Sequence, residues 1–338
     1  MIFISLSVSG IVNLIIALST NFSIVKWLWL INGISLSVLW PTLIRQLSEA
    51  LPRKNLGSSS VVMGTTVAIG TLIIYGLSSI FAAFDKFKLS FYTASFAVFT
   101  VAVIWIVFYN KAVLGAKKER DQEEPVKITQ SYEAVEKEQG RFERKLLFIS
   151  IYVLCFFAIG VNLIKDGLTT WVPSILKEEF FMSDALSILL TLLLPVLAVF
   201  GNAFALKMHK IFTDYVSHCA MTFGIIAVFI CAIIGSLSFK IVSVMLVGLV
   251  VVNFLASSLN SLITSIFPLF MRDKVNSGLF AGVLNGFCYI GSTISSYGLG
   301  VIADNFGWTA VFLTLIGFAI ISLIVWCAYV CVKKVLSK

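Results

Sequence analysis

Two adjacent opposite charges, Lys165 and Asp166, interrupt an apolar stretch in the segment NLIKDGLTTWVPSILKE at 162–178. At the centre of a membrane helix each would cost roughly 2.5–3.5 kcal/mol on insertion scales, a cost that usually marks function. A lysine facing a water-filled cavity binds the anionic group of a solute. An aspartate beside it neutralises the lysine between substrates or titrates as a coupling proton site. Neighbours on a helix point about 100° apart, so the two need not pair with each other. Asn162 and Thr169 lie on the same face. The alternative is interfacial: the uncharged residues 146–164 already span a bilayer, which would leave the pair at its outer edge. Length alone allows both, and the apolar WVPSIL run after the pair carries the helix further outward.

Other polar positions recur at helical spacing. Asn253, Ser257, Asn260, Ser261 and Thr264 form one stripe, and Asn285, Tyr289 and Ser292 another. Interhelical hydrogen bonding accounts for such stripes, and Asn285 and Tyr289 are the substrate-contact candidates within them. Arg45 and Glu49 stand one turn apart near a helix end, as a gating or structural salt bridge would. Catalytic or metal chemistry has little to work with. Cys155, Cys219, Cys231, Cys288, Cys327 and Cys331 form no C-x-x-C pair and read as small buried hydrophobes. His209 and His218 flank a short polar loop. No catalytic residue, metal or cofactor is expected, and no P-loop is present, so any transport would run on an ion or solute gradient.

The elements that must position these residues are membrane helices. The chain is 59% hydrophobic and 12% charged with a mean hydropathy of +1.00, unlike a soluble domain. Ten apolar runs lie at 1–19, 27–50, 57–84, 91–114, 144–176, 181–207, 215–237, 240–268, 277–303 and 307–332, each near the length that crosses ~30 Å of hydrocarbon as a helix. The alternation of a β-barrel is absent from them. The expected class is an all-α membrane protein of about ten transmembrane helices. An even count puts both termini on one side, and most of the 25 lysines and arginines fall in the segments on that side, which makes it the cytoplasm. The net charge of +8 is thereby a topology signal, and no nucleic-acid partner is implied. The hydrophilic stretch 115–143 reads as a cytoplasmic linker in which Glu133 and Lys137 stand at i,i+4. It divides an N-terminal region, 1–114, of four helices from a C-terminal region, 144–338, of six.

The segment from Asn55 (NLGSSSVVMGTTVAIGTLIIYG) resembles the one from Asn276 (NSGLFAGVLNGFCYIGSTISSYG), with Gly57 and Gly70 matching Gly278 and Gly291. Small residues on such faces permit close helix packing. The repeat equates the third helix with the ninth, an offset of six, so twelve helices are expected and the first two would precede Met1.

Two parallel halves joined by a charged linker resemble the major facilitator superfamily. Asn32, Gly33, Trp40, Pro41, Glu49, Pro52 and Gly57 look like its fourth helix and following loop, with Trp29 where many members have arginine. GVIADNFGW at 300–308 looks like the loop after its eleventh helix. The resemblance implies a major facilitator fold in two pseudo-repeat halves, with the ten helices equivalent to family helices 3–12, and the N-terminal half incomplete. It implies alternating access at a midplane site. Within the family, Lys165, Trp171 and Pro173 are similar to the seventh helix of organophosphate:inorganic phosphate antiporters, where a basic residue holds the phosphate. Here lysine replaces arginine, losing bidentate recognition, and Met63 and Val67 replace a Trp and His of the phosphate-ester members. The implied function is secondary transport of a small anionic solute, phosphorylated or carboxylated, with Lys165, Asp166, Asn162, Asn285 and Tyr289 at its site. The implied partners are that solute, a coupling ion or counter-solute and the lipid bilayer, for a monomer in the plasma membrane. A transporter-like sensor of a phosphorylated solute and an inactive truncated carrier are the rival readings.

Overall fold

The computed structural model describes residues 1–120, 133–212 and 214–336, and their regular structure is helical. In chain order the helices are α1 (Ile2–Leu18), α2 (Phe22–Leu36), α3 (Leu39–Ala50), α4 (Leu56–Ala83), α5 (Lys88–Arg120), α6 (Glu133–Phe180), α7 (Asp184–Thr191), α8 (Leu193–Ile211), α9 (Tyr215–Phe239), α10 (Val242–Ser261), α11 (Phe267–Phe270), α12 (Ser277–Thr293) and α13 (Leu299–Leu336). Among the described residues eight helical stretches are long and apolar enough to cross a membrane. The longest, Ser277–Leu336, bends at Gly307, whose φ of 76° only glycine adopts freely, and so contains two of the expected runs. With Ile2–Leu18 added, all ten apolar runs are helices.

The departures have local causes. The run 27–50 is two helices, α2 and α3, and 181–207 is α7 and α8. Pro41 and Pro195 each occupy the third position of the helix after the break, where a missing N–H costs nothing because no intrahelical carbonyl waits for it. Between α10 and α11 the chain forms a π-turn, Leu262–Ile266, in which Phe267 N–H reaches back to the Leu262 carbonyl. The widened turn precedes Pro268, whose ring would clash with an ordinary α-helical carbonyl one turn earlier. A second π-turn, Ile294–Gly298, joins α12 to α13. The stretch expected to be a linker is helical at both ends, as far as Arg120 and from Glu133; the Glu133–Lys137 pairing lies outside the described side chains.

One further expectation is corrected. Cys231, Cys327 and Cys331 are exposed, because small apolar side chains are as stable on a lipid-facing surface as in a core. His209 in the last turn of α8 and His218 in the first turn of α9 do flank the short loop between those helices; His218 is buried at 1% exposure against Phe212, and His209 stacks on Tyr215 at 4.4 Å between ring centres.

The chain clusters into two compact units. The first comprises Met1–Ser60, Ile69–Pro125 and Pro268–Gly282. In it α1 packs on α5, where Ser95 Oγ donates to the Gly10 carbonyl at 2.7 Å. The Arg272 guanidinium caps the end of α3, donating to the carbonyls of Ser48 (3.1 Å) and Leu51 (2.7 Å), and Arg53 pairs with Asp273 at 2.7 Å. The last turn of a helix leaves its carbonyls without intrahelical donors, so Arg272→Ala is expected to cost about 2 kcal/mol, the scale of charge-assisted hydrogen bonds. A lowered melting temperature of the detergent-solubilised protein checks this.

The second unit comprises Val61–Ala68, Val126–Phe267 and Val283–Lys338. Its core is built on Phe157 against Phe223 (5.4 Å) and Phe156 stacked on Phe318 (4.9 Å), with Gly160 leaving the room that Phe318 fills. At one end Asp214 caps α9 and takes Lys333 Nζ at 3.0 Å, while Tyr329 bridges it to Ser150. At the other end Lys240, in a left-handed conformation closing α9, pairs with Glu179 at 2.6 Å, and Trp308 donates to Glu178 at 2.8 Å.

Candidate functional site

Lys165 and Asp166 lie on α6 about midway between the polar ends of the second unit. Lys165 is about fifteen residues from Ser150 at one end and about fourteen from Glu179 at the other, on the order of 22 Å each way at 1.5 Å per residue. The helix is unbroken across both distances.

The two side chains meet: Lys165 Nζ is 3.2 Å from Asp166 Oδ1, with 22% and 33% of the side chains exposed. Adjacent helix positions diverge, but two side chains bend toward each other when their surroundings offer neither of them another opposite charge. The second carboxylate oxygen, Oδ2, accepts a short hydrogen bond from Ser292 Oγ on α12. The carboxylate is therefore held from two sides and the ammonium from one.

On the turns next to this pair, neutral polar groups of α6 and α10 hydrogen-bond to one another. Thr169 Oγ1 donates to the Lys165 carbonyl (2.9 Å) and accepts from Asn253 Nδ2 (3.3 Å). One turn before the pair, Asn162 is 3% exposed and donates to Asn260 Oδ1 at 3.0 Å, an atom that also faces Cys288 Sγ at 3.7 Å. Asn253 and Asn260 sit two turns apart on α10, so both carboxamides face α6. The sequence had ranked these two as packing residues and Cys288 as an apolar filler; their period on α10 was visible, and only the adjacency of α6 was missing.

α6 and α12 approach closely here. A Cβ on Gly291 would lie 2.1 Å from the Ile159 carbonyl oxygen, and further along α6 one on Gly167 would lie 2.7 Å from Leu299 Cδ1 at the start of α13. That approach brings Ser292 to Asp166. Trp171 Nε1 donates to the Ser295 carbonyl at 3.0 Å, within the second π-turn, and its ring covers Gly300. π-turns release carbonyls from regular helix bonding, and Trp171 uses one of them.

The remaining candidates fall further out. Tyr289 is 56% exposed and Asn285 half-buried; among the described residues neither hydrogen-bonds to Lys165 or Asp166. Arg45 pairs with Glu49 along α3 at 2.7 Å, both side chains well exposed, with the Arg45 stem over Gly278 in the first unit. Exposed i,i+4 pairs are screened by solvent and contribute little to stability. Gly70, the repeat partner of Gly291, faces open space, so the tight approach at Gly291 is not repeated at its counterpart.

The sequence pattern described as Major Facilitator Superfamily matches residues 1–296. Among solved structures the chain is similar to the human organic anion transporter MFSD10 (TETRAN), with a TM-score of 0.65 and 13% identity over 96% of this chain and 76% of that one. At that identity the likeness speaks for the fold. No curated protein matches the sequence.

Proposed function

This chain belongs to the major facilitator superfamily, and on that premise we propose that it is a secondary carrier that moves a small organic solute bearing an anionic group by alternating access. It is a membrane transporter and not an enzyme. The observation that carries the reading is the Lys165–Asp166–Ser292 arrangement within the otherwise apolar stretch 146–176 of α6. An ammonium group kept there is worth its insertion cost if a substrate anion replaces the aspartate as its partner. Asn162, Asn253, Asn260 and Thr169 supply neutral hydrogen-bonding groups around it, with Asn285 and Tyr289 as outer contacts.

The similarity of Lys165, Trp171 and Pro173 to the seventh helix of organophosphate antiporters supports an anionic substrate, phosphorylated or carboxylated. The organic anion transporter named in the likeness points the same way. The excess of lysine and arginine in alternate segments supports cytoplasmic termini in a plasma-membrane protein. Movement would be driven by an ion or a counter-solute.

Radiolabelled uptake into proteoliposomes, across organic anions, sugar phosphates and amino acids, tests the reading. The expected result is uptake of at least one probe that Lys165→Ala lowers by about a hundredfold, the factor given by losing a charged contact of roughly 3 kcal/mol. Uptake that survives Lys165→Ala unchanged would make Lys165 a structural charge and sink the site.

A further inference from the structure

We infer that the solute held by this site is a zwitterion, an amino carboxylate, and not a polyanion; the inference rests on the reading of Lys165 as the receptor for the solute's anionic group. The charge balance of the site carries it. Lys165 already has a counter-charge at 3.2 Å in Asp166, so the pair is electrically neutral before anything binds. The groups that touch it or its backbone, Ser292, Thr169 and Asn253, are neutral as well. No second lysine or arginine contacts Asp166 among the described residues.

Adding a carboxylate alone to a neutral pair leaves one uncompensated negative charge in a partly desolvated place, and a phosphate monoester leaves more. Uncompensated charge in such surroundings costs several kcal/mol. An amino carboxylate adds none. Its carboxylate takes Lys165 Nζ, and its ammonium takes Asp166 Oδ1, the oxygen that Lys165 gives up. One ion pair is exchanged for two, and every charge keeps an opposite neighbour.

The asymmetry of the aspartate supports the exchange. Oδ2 is committed to Ser292 on α12, so the carboxylate stays in place when Lys165 turns away, with Oδ1 facing the vacated position. The partial exposure of both side chains gives the solute a way to each end of the pair. A monoanion can enter the same site without excess charge only if the negative charge at position 166 is neutralised. Replacing Asp166 by asparagine supplies that neutralisation permanently.

Uptake into proteoliposomes of the wild-type chain is to be measured for radiolabelled α-amino acids, for the α-hydroxy acids of the same side chains, and for glycerol phosphate. The same set is to be measured for Asp166→Asn and Lys165→Ala. At least one amino acid is expected to exceed its hydroxy acid by about tenfold or more in the wild type. In Asp166→Asn the order reverses, and in Lys165→Ala both are lost. A wild type that takes up hydroxy acids or glycerol phosphate at least as well as amino acids, in a Lys165-dependent way, overturns the zwitterion and leaves the anion receptor standing. Uptake of amino acids that is indifferent to Lys165→Ala overturns both. Wild-type protein that transports none of the amino acids also overturns the inference. The wild-type ratio decides even if Asp166→Asn fails to fold.

Discussion

Gly291→Ala is expected to deplete the folded protein more than any other single methyl addition in the second unit. The new Cβ would lie 2.1 Å from the Ile159 carbonyl oxygen and 2.9 Å from its carbon. A flexible side chain can rotate away from an intruding methyl, but these atoms are backbone in the middle of α6. The helices must therefore separate, at the upper end of the 1–3 kcal/mol typical of overpacking, about 3 kcal/mol. Separation also draws Ser292 on the same helix away from Asp166. Gly286 on α12 is the control, since nothing lies within 4 Å of a Cβ there. Alanine at 286 is expected to be neutral or to stabilise by up to about 1 kcal/mol through helix propensity. Melting curves and the yield of monodisperse protein in detergent compare the two, and equal behaviour of both variants would refute the packing argument.

Lys165→Met combined with Asp166→Asn is expected to melt higher than either single variant while transporting nothing. Removing one member leaves the other charge without its partner. For a fully buried pair that costs about 3–5 kcal/mol, and with 22% and 33% of the side chains exposed, solvent screening reduces it to about 2 kcal/mol. Removing both takes away the unpaired charge as well as the attraction, so most of the loss returns. Ser292 still has a side-chain acceptor in asparagine. Recovery of stability without recovery of uptake would separate a charge pair kept for binding from one kept for folding. A double variant no more stable than the weaker single, or one that still transports, would contradict this account.

Much of the architecture was legible from local sequence. An apolar run long enough to cross a bilayer must satisfy its own backbone hydrogen bonds, so it becomes a helix wherever it is placed. The ten runs accordingly reappear, from Ile2–Leu18 to the two arms of Ser277–Leu336. Breaks before Pro41 and Pro195 and the bend at Gly307 follow from single residue types. The division at Gly307 was already read as the gap between two runs, whereas the breaks before the two prolines were missed because hydropathy averages over a window in which one proline hardly counts.

The site divides along the same line. Lys165 and Asp166 stood out because charge in an apolar run is costly wherever the helix packs, and Asn162 stood out by sharing their face. Their direct pairing did not, because helical phase sets where the side chains begin and the surroundings decide where they end. Asn260, Cys288 and Ser292 became site residues only through the adjacency of α6 with α10 and α12. Tyr289, on the same stripe as Ser292, was carried outward by the position of α12 against α6.

By itself the sequence determined that the chain is a set of membrane helices carrying one costly charge pair, since hydrophobicity and desolvation act on each segment separately. Only the tertiary structure decided that the two charges pair directly, that Ser292 holds the carboxylate, and that the carboxamides of α10 lie against the neighbouring turns of α6. Those facts depend on which helices touch and how closely, and the contact of Gly291 with the Ile159 carbonyl sets that distance.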